Sequence, residues 1–260
     1  MKRAVFICIL FITGIIAVAG QEKYEYQTFT AEDGTSLNYR MLRPLETAKG
    51  KKFPLVIFLH GLGERGTDNE AHLFHGSQMF LNPVTREEHP AYVLFPQCPK
   101  TAFWALDKVP SSYEDIKTEE VMPAPFKAVK ELIDEYLTHP DIDRSRVYIL
   151  GLSMGGVATY DMVARFPEIF AAAIPICGAV DPSRLEGVEG VSFRIFHGDA
   201  DTTVPVECSR RAYRALKKSG CKVEYFEFPG CGHGSWNPAF TREDFIDWLF
   251  KQKKSRKYLK

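Results

Sequence analysis

Ser153 lies in Gly151-Leu152-Ser153-Met154-Gly155, which follows the apolar run Val147-Tyr148-Ile149-Leu150 without a break. A strand that runs into G-x-S-x-G and then into a helix forces the serine onto a tight, strained turn. Glycine is required on both sides because a β-carbon there would meet the neighbouring strand or helix. Val157, Tyr160, Val163 and Phe166 supply the helical pattern that follows. Such a turn lifts the hydroxyl above the sheet edge at a helix start, where unpaired N–H groups and the helix dipole favour negative charge. That is a setting for nucleophilic attack on a carbonyl. The attack needs a base, a carboxylate behind the base and donors for the oxyanion.

Three further segments offer those parts. His60-Gly61-Leu62-Gly63 comes directly after the apolar run 55–59. A glycine-rich turn there can aim the N–H of Leu62 at the space above Ser153, and with the N–H of Met154 it makes an oxyanion hole. His60 itself, at the end of a buried strand, reads as structural rather than as the base. The stretch from His197 to Pro205 follows the run 192–196 and carries two candidate carboxylates, Asp199 and Asp201. Either can orient an imidazole, and Asp199, nearer the strand end, also suits an Asx turn. His233, between Gly232 and Gly234, suits a base that must reach across to a serine. Chain order is then Ser, Asp, His. His72, His75, His89 and His139 lack such a context and are expected at the surface.

These residues need a scaffold. Residues 24–42 alternate as two strands around Asp33-Gly34, a hairpin signal. Further strands are expected at 55–59, 92–95, 147–150, 171–176, 192–196 and 222–228, with helices at 125–136, 154–166, 206–218 and 241–250. Strands alternating with helices predict an α/β fold: a mostly parallel, twisted sheet with helices on both faces. Segments 62–90 and 97–122 are longer than ordinary connections and rich in polar, proline and aromatic residues. In such a sheet they lie near the strand C-termini, where ligands bind. With no internal repeat and no low-complexity linker, residues 21–260 read as one catalytic domain.

The 260 residues are 45% hydrophobic and 25% charged, and 33 basic residues balance 33 acidic ones. A net charge of zero gives no reason to expect a nucleic acid or an anionic surface as partner, and the basic end from Lys251 to Lys260 reads as a solvated tail. Residues 1–20 have the outline of a secretory signal peptide: Lys2 and Arg3, an apolar run from Ala4 to Ile16, then small residues, with a cut near Gly20–Gln21. The mature chain is expected to be exported, periplasmic or extracellular, without stable membrane insertion. Without Cys8, five cysteines remain (Cys98, Cys177, Cys208, Cys221, Cys231), so at least one is free. Cys208 and Cys221 flank one helix, too far apart to bridge, and a bond to Cys231 is not expected. No spacing suggests a zinc site, and the chemistry calls for no metal and no cofactor.

Together, the segments His60 to Gly66, Gly151 to Gly156, His197 to Pro205 and Gly232-His233 resemble the α/β-hydrolase superfamily, over about residues 24–250. The resemblance is in particular to its carboxylesterase, dienelactone-hydrolase-like and prolyl-oligopeptidase-like branches. Gly63-Glu64-Arg65-Gly66 and Phe95-Pro96-Gln97-Cys98-Pro99 with Trp104 are similar to a group of secreted bacterial esterases, related to feruloyl and acetyl esterases of plant polysaccharides. The resemblance implies a triad of Ser153, Asp201 and His233, which favours Asp201 over Asp199, and oxyanion donors at Leu62 and Met154. It implies hydrolysis of a carboxylic ester through an acyl-enzyme, the substrate being a small-molecule ester or an ester-decorated oligosaccharide. Cys231, beside the base, departs from the pattern. Trp104, Phe103, Tyr113 and Trp236 either line an aromatic pocket or pack beneath the long loops. Glu64 and Arg65 either contact substrate or, the reading preferred here, form a pair that fixes the oxyanion loop. Trp104, Trp236 and Glu64 are the candidate substrate contacts. A serine peptidase of the prolyl-oligopeptidase type would use the same triad, although the chain lacks room for the extra propeller domain of that group's larger members. A non-catalytic binding protein on this scaffold usually lacks a triad member, and none is missing here.

Overall fold

Strand β1 (Glu25–Thr30) pairs antiparallel with β2 (Ser36–Leu42). Their turn closes at Gly34 with φ 85°, and Asp33 Oδ1 accepts from the Thr35 N–H at 2.9 Å. Strand β2 pairs antiparallel with β4 (Tyr92–Pro96). The rest of the sheet is parallel: β3 (Phe53–Leu59), β5 (Ile142–Leu152), β6 (Ala172–Ile176), β7 (Ser192–Gly198) and β8 (Val223–Phe228). The eight strands lie in the order β1-β2-β4-β3-β5-β6-β7-β8. This computed structural model describes residues 23–45 and 50–258. The leader read at residues 1–20 lies outside the described residues.

Every residue of β3 is buried, as its unbroken apolar sequence requires of a strand covered on both faces. Leu55, Ile57 and Leu59 face one core, together with α3 (Ala124–Thr138), α4 (Met154–Arg165) and α5 (Glu207–Lys218). Val56 and Phe58 face the other, which holds Phe80 of α1 (Ser77–Leu81) and, from α7 (Phe245–Lys251), Phe245, Trp248 and Leu249. The α/β architecture expected from the alternating pattern is therefore present.

Some boundaries differ from expectation. The segment 62–90 is not an open connection, since it contains α1 and α2 (Pro83–Glu88). Asn82 caps α2 by accepting from the Val84 N–H at 2.9 Å, with Pro83 at the first helical position. Strand β5 starts at Ile142, ahead of the apolar run, across a register shift between the Phe53–Ile142 and Leu55–Val147 pairs. The last helix begins at Phe245 rather than at 241, after a short helix α6 (Trp236–Phe240). His72, expected at the surface, is fully buried, and His75 and His89 are half-buried, whereas His139 is exposed. Among the described residues all five cysteines are free, and no helix is long and apolar enough to cross a membrane.

Candidate active site

Four parallel strands, β3, β5, β7 and β8, end on the same edge of the sheet, and the segment after each carries one part of the site. After β5 the chain turns at Ser153, with φ 54° and ψ −115°, a region that a residue with a side chain enters only under strain. Crowding enforces the turn. A β-carbon at Gly151 would lie 2.5 Å from the Gly155 oxygen, and one at Gly155 would overlap the Leu59 carbonyl. The Ser153 N–H donates to Ile176 at 2.9 Å and the Cys177 N–H to Phe196 at 2.9 Å, while Asp199 N–H reaches Phe228 at 3.2 Å. Backbone bonds thus connect the ends of β5, β6, β7 and β8 in succession.

The side chains meet in line. His233 Nε2 is 2.8 Å from Ser153 Oγ, and its Nδ1 is 2.7 Å from Asp201 Oδ2. Asp201 is fixed from behind, its Oδ1 accepting from the Thr203 and Val204 N–H groups at 2.8 and 2.9 Å. Burial pushes the Asp201 carboxyl upward, but the bonds from His197, His233 and Val204 outweigh it and hold the group well below the usual carboxylate range. An ionised Asp201 requires a proton on His233 Nδ1. His233 Nε2 is then free to accept the serine proton. Asp199 does not face the imidazole. Its Oδ1 accepts from the Gly230 N–H at 2.6 Å and so ties the β7 loop to the β8 loop. Ala200 N–H adds a second tie, to Cys231 O at 3.0 Å. Cys231 itself is partly exposed, its Sγ directed at Gly232 O.

His197 was not singled out by sequence reasoning. Fully buried, it places Nε2 3.2 Å from Asp201 Oδ2 and 2.9 Å from Val204 O. A carbonyl can only accept, so Nε2 carries the proton, and Nδ1 accepts from the Ser209 hydroxyl at 2.7 Å. The spacing of four residues from His197 to Asp201 was the available signal. His60 is structural, as expected. Its Nδ1 lies 2.6 Å from Gly61 O, its Nε2 accepts from Cys98 N–H at 2.9 Å, and burial pushes it down to about 4. By holding the Gly61 carbonyl, His60 turns the other end of that trans peptide, the Leu62 N–H, the opposite way. Arg65 holds the next carbonyl, its Nε donating to Leu62 O at 3.2 Å while Nη1 reaches Ala102 O at 2.9 Å. Met154 opens α4, so its N–H has no partner within the helix.

A cleft of about 590 Å³ opens over Ser153, and Leu62, Met154, Glu64, His233 and Trp236 line it. Phe103, Leu106, Val109, Tyr113 and Val157 form an apolar wall. The position of Trp104 corrects one expectation. It has no exposed surface, packs on His60 and Phe126, and donates from Nε1 to His60 O at 3.2 Å, so it supports the loop after β3 from beneath. Glu64 does not pair with Arg65. Its Oε1 lies 3.8 Å from His75 Nε2, and His75 packs against Trp236 with ring centroids 5.1 Å apart.

This sheet, with a serine after β5, a carboxylate after β7 and a histidine after β8, is an α/β-hydrolase fold. A model of the phospholipase/carboxylesterase family matches residues 44–247, so the chain belongs to that family and is a carboxylic ester hydrolase. It is similar to the carboxylesterase SOBER1 of Arabidopsis thaliana, 27% identical over 70% of this chain and 84% of that one. It also resembles the crystal structure of a thermostable esterase, with 37% identity, a TM-score of 0.82 and 90% of this chain covered. The chain spans 64% of that esterase's length. A ferulic acid esterase of Anaeromyces mucronatus shares the fold at 15% identity, with a TM-score of 0.59, over 88% of this chain and 90% of that one.

Proposed function

We propose that residues 21–260 form one catalytic domain, exported after loss of the leader, that hydrolyses esters through Ser153, His233 and Asp201. The observation that carries the reading is the unbroken line of hydrogen bonds from Ser153 Oγ through His233 to Asp201. His233 takes the serine proton as Ser153 Oγ bonds to the ester carbonyl carbon. Backbone N–H groups of Leu62 and Met154 receive the oxyanion. His233 then protonates the leaving alcohol, and water releases the acid from the acyl-enzyme by the same steps. The substrates proposed are acetyl or feruloyl esters of a carbohydrate. A cleft with Phe103 and Tyr113 in its apolar wall supports a small or aromatic acyl group. Ser153→Ala should abolish p-nitrophenyl acetate turnover and fluorophosphonate labelling in a folded protein, and retained turnover would sink the assignment. Assayed beside these esters, peptide amides cleaved faster would favour the peptidase alternative.

A further inference from the structure

We infer that His197 is a positioning residue of the triad, sharing Asp201 Oδ2 with His233 and so limiting how tightly the carboxylate holds the catalytic imidazole. The inference rests on the esterase reading above. Two imidazoles meet one carboxylate oxygen: His233 Nδ1 lies 2.7 Å from Asp201 Oδ2, and His197 Nε2 lies 3.2 Å from it. The other oxygen, Oδ1, is taken by the Thr203 and Val204 N–H groups. His197 has no freedom to turn away. Its ring is fully buried, its Nε2 also lies 2.9 Å from Val204 O, and its Nδ1 lies 2.7 Å from the Ser209 hydroxyl. The single Nε2 proton is therefore shared between Val204 O and Asp201 Oδ2, a three-centre bond, while Ser209 fixes the other ring nitrogen.

The sharing has a chemical consequence. An N–H dipole at Oδ2 draws on the same negative charge that stabilises the His233 imidazolium once Ser153 has given up its proton. His197 thus helps to keep Asp201 ionised and in place while weakening its pull on that imidazolium. A base held less tightly gives its proton more readily to the leaving alcohol and stays free of a proton to lower pH. Tyr113, Cys177, Cys208 and Cys231 also lie within electrostatic reach of Asp201. Burial pushes each of them up, Cys208 to about 11, so all four are neutral near pH 7. Glu64 in the cleft, with His75 beside it, and Asp199 on the Asp201 loop are common to every protein compared below.

The test is the pH profile of kcat/KM for p-nitrophenyl acetate, whose acidic limb follows the base of the free enzyme. Asparagine at position 197 is long enough to meet Ser209 but too short for Asp201, whereas glutamine can place an amide N–H where Nε2 stands. His197→Asn should move the acidic limb to higher pH by about half a unit to one unit, the equivalent of one hydrogen bond. His197→Gln should restore the wild-type limb. Circular dichroism reports whether each variant is folded. A limb that stays in place or moves to lower pH in folded His197→Asn, or one that His197→Gln moves equally, would reduce His197 to packing and overturn the proposal. Proton NMR with nitrogen-15-labelled histidine checks the contact with position 197 intact. The His197 Nε2 proton should move upfield in Asp201→Asn, and an unmoved signal would also overturn the proposal. If the wild-type protein cleaves no ester, the esterase reading fails and the positioning role with it; an unmoved limb beside normal wild-type turnover fails the positioning role alone.

Discussion

Replacing Asp201 by asparagine is the sharpest test of how the imidazole is held. Asp201 Oδ1 already accepts from two backbone N–H groups, so the new side-chain oxygen must stay there. Its NH₂ then occupies the place of Oδ2, 2.7 Å from His233 Nδ1. That nitrogen must now accept, which moves the single ring proton to Nε2. Nε2 can then only donate to Ser153, and the base is lost. A tautomer inversion of this kind costs on the order of 10⁴ in kcat, about 5 kcal/mol of barrier. Steady-state hydrolysis of p-nitrophenyl acetate measures the loss, and the rate of fluorophosphonate labelling should fall in parallel. Asp199→Asn is the control, because it keeps an acceptor for Gly230 and touches no imidazole. A loss below tenfold for Asp201→Asn, or an equal loss for Asp199→Asn, would refute the reasoning.

Other expectations concern stability. Ser153→Gly should be inactive yet about 1–2 kcal/mol more stable than Ser153→Ala, because glycine alone relaxes the strained turn; equal melting temperatures would contradict this. Trp104→Ala should destabilise the protein by about 3–5 kcal/mol in urea titration, and a change in ester preference at full stability would mean that the side chain reaches substrate after all. Burial holds His60 down to about 4 and His72 to about 3, whereas the unfolded chain titrates near 6.5. The unfolded chain therefore binds more protons, and stability should fall as pH drops below about 6.5, by up to about 2.7 kcal/mol per pH unit while both sites titrate. A flat urea midpoint between about pH 6.5 and 5 would count against this assignment.

The strands and the site were legible where the signal was local. The apolar runs before His60, Ser153 and His197 each end in a glycine-bearing turn, and such punctuation survives without tertiary information. Positions fixed by loop closure were not legible. Trp104 lies in a five-residue apolar run, Ala102 to Leu106, too short to show a period and set within a long connection, and only the fold over His60 reveals it as core. His72 is buried for the same kind of reason. Helices α1 and α2 are five and six residues long, below the window in which periodicity shows, although Asn82-Pro83 was a readable start signal. The early part of β5, Asp143 to Arg146, is polar and falls in the register shift between the Phe53–Ile142 and Leu55–Val147 pairs, so no apolar run announced it.

The rung-by-rung backbone bonds joining the ends of β5, β6, β7 and β8 divide the molecule by how freely it can change. Ser153 and Asp201 are indexed to the sheet, so moving either requires slipping a strand, which would also turn buried side chains to the wrong face. The cleft wall between Phe103 and Tyr113 lies outside every strand and helix of the sheet framework. Substitutions or insertions there can reshape the acyl side while the hydroxyl of Ser153 stays where it is. A graft of that wall from another esterase is accordingly the change with the best prospect of a new substrate range at an unchanged catalytic core.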